Sequence, residues 1–336
     1  MPPRAALSGD QAVIVQSQRN RRGNSAARSR KKLREALRSA IVGADPRLSR
    51  FNPLARILFH DDFDEGINGW CELVGNHDGN LDNVRAVAAD LRPPQLSNCT
   101  FFDIGTHGSM NGTYALKLAT RAVPFHMSQA IKRLTFVKRG LVQFEAYFTY
   151  KAEQQIERTA KPHWDGNSDP SELDFGDFTI SNDVCEGENG MRYHCALRYM
   201  NTDHSGNLVR QWMYKTSVQT STKMQLAGTA SPDDFHVQNS GDWREIPGGG
   251  QELCYNEVPT KINWHYLRWR FDTVARRNVE LQVNHLVMDL REVPVPVYDH
   301  PYRSLEHLLN FCVDVRTHSA VRNFLWLDSV LVSVDW

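Results

Sequence analysis

The sequence predicts an all-β chain: a two-sheet antiparallel β-sandwich with long loops and a basic N-terminal extension. Three observations carry this. From about residue 55 apolar and polar residues alternate with a period of two, as in half-buried strands. The signals HDGN, MNGT, NTDHSGN, PGGG and VPVP punctuate the alternation as turns or loops, with PGGG read as flexible. Past residue 50 a helical pattern is visible only over 302–310 (YRSLEHLLN).

The first 50 residues are a different material. They hold twelve Lys/Arg against three Asp/Glu, are rich in Ser and Ala, and cannot bury much apolar area. A disordered extension is expected over 1–50, with a basic helix over about 28–42 as its one ordered candidate, and a single sandwich domain over 51–336. Because the whole chain is formally neutral, the remainder is acidic by the same margin, which argues against a nucleic-acid-binding body.

The strands follow in order. The ends of the domain, ILFHDDFDEGINGW (57–70) and FLWLDSVLVSVDW (324–336), are short alternating segments rich in acids. Sandwiches commonly pair first and last strands, which would bring Asp61, Asp62 and Asp64 near Asp328. Such a set of carboxylates suits a structural Ca²⁺, a hard cation that takes oxygen ligands. Between the ends, strands are predicted at 114–119, 141–150, 175–182, 191–200, 208–215, 264–272, 279–284 and 308–315. NTDHSGN joins 191–200 to 208–215 as a hairpin, and TVARRN joins 264–272 to 279–284.

Six widely scattered cysteines show no CxxC or CxxH spacing and read as reduced thiols in a cytoplasmic protein. No segment approaches the apolar length of a membrane span, no apolar stretch marks a secretion signal, and no nucleotide-binding or nucleophile-elbow motif occurs.

Strand parity sorts the side chains by face. Over 141–150, Val142, Phe144, Ala146 and Phe148 are expected in the core and Gln143, Glu145 and Tyr147 on the other face. Tyr193, Cys195, Leu197 and Tyr199 are core positions, which turns His194 and Arg198 outward. Asp177 and Asp183 share a polar face. Arg210, Trp212 and Tyr214 share another, read as an aromatic platform for a sugar ring. Trp164, within His163-Trp164-Asp165, is a loop residue placed to line the same mouth. Gathered on one concave sheet, these would supply acids or a base (Glu145, Asp177, Asp183, His194) and a binding surface (Gln143, Tyr147, Trp164, Arg198, Arg210, Trp212, Tyr214). Two carboxylates are the minimum for glycoside hydrolysis. An imidazole or a Tyr beside arginines would instead serve β-elimination on a uronate.

The residues DDFDEGINGW, WHYLRWRFD followed by VELQVNHLVMDL, and LDSVLVS resemble the laminin-G-like or concanavalin-A-like jelly-roll superfamily, and more narrowly a bacterial family of that fold with no assigned activity. The resemblance spans roughly 55–336 and implies the fold and a carbohydrate ligand. The sequence lacks the ExDxxE strand of one glucanase family and the QIH and YFKxGxYxQ signatures of jelly-roll alginate lyases. The leading expectation is a glycoside hydrolase acting on an oligosaccharide. A lyase is the alternative within enzymes, a non-catalytic lectin-like protein the alternative outside them, and a protein-interaction domain a third.

Overall fold

A computed structural model describes residues 28–71, 94–97, 109–136, 138–153, 171–186, 191–216, 243–256, 262–299 and 307–336. It is a two-sheet antiparallel β-sandwich, as the alternation predicts. The first sheet has eight strands. Its order is β13 (Leu286–Asp289), β12 (Arg277–Val283), β11 (His265–Asp272), β6 (Leu141–Ala152), β16 (Asn323–Val334), β4 (Ala115–Ala119) and β3 (Gln95–Ser97), with β1 (Arg56–Asp61) also paired to β16. The second sheet runs β10 (Trp243–Gly250), β9 (Leu208–Lys215), β8 (Met191–Thr202), β7 (Asp177–Cys185), β15 (Leu308–Arg316), β5 (Met127–Thr135) and β2 (Trp70–Cys71), with β14 (Val297–Asp299) on β8.

The first and last strands do pair, Arg56 opposite Val334 and Asp61 opposite Val330. Both expected hairpins form, as β8–β9 and β11–β12. Three segments differ from expectation. PGGG is no flexible loop but the end of β10, where a register shift accommodates it beside β9. Leu308–Asn310 continue as strand β15 rather than helix, because their neighbours on β5 and β7 satisfy the backbone on both sides. Strand β5 itself, MSQAIKRLT, went unpredicted. The basic helix, α1, spans 28–44.

The core is the apolar parity of both sheets. Phe144 stacks on Phe311 at 5.2 Å and Phe148 meets Phe178 at 4.9 Å, joining the sheets across the sandwich. Strand β16 is buried along its whole length, since it has strands on both sides and packing on both faces.

Trp212 belongs to this core and not to a ligand platform. It is fully buried, lies 5.3 Å from Tyr199 and 5.6 Å from Phe178, and donates its indole N–H to Gln251 Oε1 at 2.9 Å. Tyr214 packs against the same cluster. Arg210 has a left-handed backbone (φ 53°) and grips Glu172, whose Oε1 accepts from Nη2 at 2.9 Å. The assigned platform is therefore split: Trp212 and Tyr214 belong to the inner face of the sandwich, and Arg210 is a partly exposed arginine paired with Glu172. Trp212→Ala should lower the free energy of unfolding in urea by about 3–5 kcal/mol, as a large-to-small core change does.

Candidate functional site

The outer face of the first sheet does not form an open site. Glu145 is fully buried beneath the segment 50–54. Its Oε1 accepts from Asn52 N at 3.0 Å and from the Tyr266 hydroxyl at 2.6 Å, and its Oε2 accepts from Gln143 Nε2 at 2.7 Å. Gln143 Nε2 also donates to Asn52 O at 2.8 Å, while its Oε1 accepts from Arg270 Nε at 2.6 Å. The Tyr147 ring stands 5.8 Å from Phe51, and its hydroxyl donates to Arg50 O at 3.3 Å. Glu145, Gln143 and Tyr147 thus fasten the strap that enters the domain. Glu145 is fully buried with three donors already on its oxygens, so these residues hold the strap rather than fill the catalytic and binding roles assigned to them.

The outer face of the second sheet is different. On β7, Phe178, Ile180 and Val184 point into the core, so Asp177, Thr179, Ser181 and Asp183 point out. The same parity turns Arg192, His194 and Arg198 outward on β8, and Asn310, Asp314 and Arg316 on β15. Register then builds rows across the sheet. Gln129, Asp314, Thr179 and Arg198 stand side by side, with Arg316 and Asp177 in the adjacent row. Nearly all are buried: Asp177, Thr179 and Asp314 at 0%, Gln129 at 1%, Arg198 at 2% and Arg316 at 5% exposure.

Two ion-pair centres sit on this face. In the first, Arg198 Nε lies 3.3 Å from Asp177 Oδ1 and 3.3 Å from Thr179 Oγ1, and its guanidinium stacks 3.9 Å over the half-buried Trp243 ring. His318 Nε2 meets Asp177 Oδ2 at 2.7 Å. The backbone of Gly176 leaves space for this imidazole, since a Cβ there would stand 2.5 Å from Arg316 O and 3.0 Å from the His318 ring. In the second centre Asp183 Oδ1 accepts from Arg192 Nε at 2.6 Å, and His194 Nε2 stands 3.1 Å from the same oxygen.

Burial alone would push both carboxyls upward. For Asp177 the charge of Arg198, the His318 hydrogen bond and the charges of His318 and Arg316 reverse that effect and hold the group well below the usual carboxylate range. For Asp183 the Arg192 and His194 charges do the same. Both are permanent anions at neutral pH. Three acceptor or ring atoms on or beside this layer, Gln129 Oε1, Asn310 Oδ1 and His318 Nδ1, are buried without a hydrogen-bond partner among the described residues.

Of the sequence-assigned residues, the structure brings Asp177, Asp183, His194 and Arg198 onto one face and leaves Glu145, Gln143 and Tyr147 on the other sheet. Trp164 lies outside the described residues. Asp177 and Asp183 are six residues apart on one strand, about 20 Å, too far to act as a carboxylate pair. Sequence reasoning missed Gln129, Asp314, Arg316 and His318; Trp243 it read as a loop residue that could line the mouth, whereas the structure makes it the first residue of β10. Asp314 and Arg316 carry the same parity as Asn310 on a strand already recognised, so sorting the faces of 308–316 would have found them.

The end-strand acids are engaged with donors. Asp61 Oδ2 accepts from Trp70 Nε1 at 2.8 Å and Lys132 Nζ at 2.9 Å. Asp64 Oδ1 accepts from Thr113 N and Tyr114 N, Asp328 Oδ2 from Asn111 N at 2.9 Å, and Asp62 Oδ1 from Asp64 N at 3.4 Å. Asp64 and Asp328 thus cap the 109–114 turn, and Asp61 holds Trp70 and Lys132. Among the described residues no group of three or more metal-ligating side chains is assembled.

A family model described as Domain of unknown function (DUF6772) matches residues 38–336. The chain belongs to this family. No curated protein matches it in sequence. Among solved structures it is similar to the CBM2 module of the Lactobacillus casei BL23 phage J-1 evolved Dit (10% identity, 84% of this chain and 96% of that one, TM-score 0.36). It is also similar to the Emp47p carbohydrate recognition domain (8%, 85% and 100%, 0.35) and to a lectin from Bauhinia forficata in complex with GalNAc (8%, 66% and 88%, 0.32). At these values the likeness is remote, and no residue's role transfers from those proteins to this one.

Two outcomes are expected. Burial raises the Asp328 carboxyl to about 7, against the opposing Asn111 N–H. The folded state then binds more protons than the unfolded one between about pH 4 and 7, so this group's contribution to stability falls as pH rises through that window. Asp328→Asn should flatten that part of the stability–pH curve, and chelator should leave the melting temperature unchanged. Glu145→Gln should lower the melting temperature, through the weakened strap, without changing ligand affinity or any turnover.

Proposed function

We propose that this protein binds carbohydrate, non-catalytically, on the outer face of its second sheet. The observation that carries this is the half-buried Trp243 at the rim of a buried layer of planar polar side chains around Arg198 and Asp177; the ligand is proposed to meet the layer at this rim. A face meant only for water would be exposed, and a face meant only for packing would be apolar. Here guanidinium, carboxylate, amide and hydroxyl groups are held in register by four adjacent strands, β8, β7, β15 and β5, and Gln129, Asn310 and His318 keep capacity unspent. Sugar hydroxyls take paired donors and acceptors of this kind, and a sugar ring's C–H face stacks on an indole.

Hydrolysis is less well supported. The acids assigned to it are divided between two sheets or committed to arginines as permanent anions, so none is poised as a general acid. One enzymatic reading retains a specific observation. Asp314 and Asp177 are diagonal neighbours across β15 and β7, their Cα atoms on the order of 7 Å apart, with His318 oriented by Asp177 beside them.

Calorimetric titration with a panel of neutral and uronate-containing oligosaccharides tests both. Binding without product formation is expected, with Trp243→Ala weakening affinity about tenfold or more, the equivalent of about 1.4 kcal/mol, in a protein that stays folded. Turnover that disappears in Asp314→Asn would replace the binding protein with an enzyme. No binding to any member by a folded protein would remove the carbohydrate reading altogether.

A further inference from the structure

Helix α1, RSRKKLREALRSAIVGA, is built from good helix formers and stops just before Asp45-Pro46, where the residue preceding proline disfavours helical backbone. Leu33, Leu37 and Ile41 recur every fourth position and so line one side of it. They are 63%, 55% and 68% exposed, with the small Ala36 and Ala40 between them. The only half-buried positions of the helix, Arg38 and Val42, each follow a stripe residue in sequence and so lie about 100° further round the helix. The helix therefore presents three large aliphatic side chains to solvent in a row. Six Lys/Arg and one acid, Glu35, fill the rest of its surface.

From this geometry we infer that α1 lies on the surface of an anionic lipid bilayer. The Leu33–Leu37–Ile41 stripe enters the acyl boundary, and the flanking cations, Lys31, Lys32 and Arg34 among them, meet the headgroups. Each alternative occupant leaves part of the pattern unused. A second copy docking through the same stripe would bring two sets of six cations together. A nucleic acid would use the cations and leave the aliphatic row in water. Among the described residues no helix is long and apolar enough to cross a membrane, so the contact is interfacial. The inference is independent of what the second sheet binds.

The full chain, mixed with vesicles of phosphatidylcholine alone or with phosphatidylserine, provides the test. Co-sedimentation with the phosphatidylserine vesicles only, reduced by added salt, is expected. Lys31→Gln should weaken it about fivefold, which corresponds to about 1 kcal/mol per cation at an anionic surface. The combined variant Leu33→Gln, Leu37→Gln and Ile41→Gln should weaken it tenfold or more, with an unchanged β-type circular dichroism spectrum. Absent binding, equal binding to both vesicles, or binding that survives the combined variant would each overturn the inference. So would a dimer that the combined variant converts to monomer, or retention of RNA without any retention of lipid.

Discussion

Strand β16 is the constraint on which the rest of the molecule depends. It pairs with β6 on one side and with both β4 and β1 on the other, changing neighbour where the register shifts near Asp328 and Ser329. Its inner parity fills the sandwich, and its outer parity is buried as well, with Ser333 accepting a hydrogen bond from Leu54 N. Everything on the first sheet is positioned by a strand more than 170 residues distant from β6 in sequence. Such closure is non-local, and its entropic cost must be met before any of these contacts form.

Polar side chains line the outer faces of both sheets, yet they are spent differently. On the first sheet Gln143, Glu145 and Tyr147 each bond to one short backbone segment, and Tyr266 and Arg270 of β11 complete the set. On the second, charges answer charges within the layer, and some acceptors remain over. Burying an ion pair such as Asp177–Arg198 gives little net stability compared with an apolar pair of the same volume. Its presence in the middle of a sheet face therefore calls for a reason other than folding, and ligand recognition is one.

Much of the fold was legible because alternation is a local property. Phe144, Phe148, Leu197 and Tyr199 are inside where parity puts them, and both hairpins follow from their loops. What parity cannot tell is what covers the other face. Glu145 reads the same whether water, a sugar or Asn52 lies above it, and Asn52 is 93 residues away in sequence. Trp212 was misread for the opposite reason. The left-handed turn of the backbone at Arg210 joined a surface arginine to two core aromatics, and no residue type there announces it. Gln129 was missed because MSQAIKRLT has no aromatic residue and only Ile131 and Thr135 of the β-branched residues that mark a strand; its partners on β15 define it.

The strap over Glu145 also fixes a direction. Residues 50–54 are fastened to the outside of the first sheet, whereas the Arg198 layer covers the outside of the second, with the two sheets stacked about 10 Å apart between them. Helix α1 leads into that strap through only a short turn. The strap and the Arg198 layer therefore lie on opposite sides of the sandwich, and the helix joins the body on the strap's side.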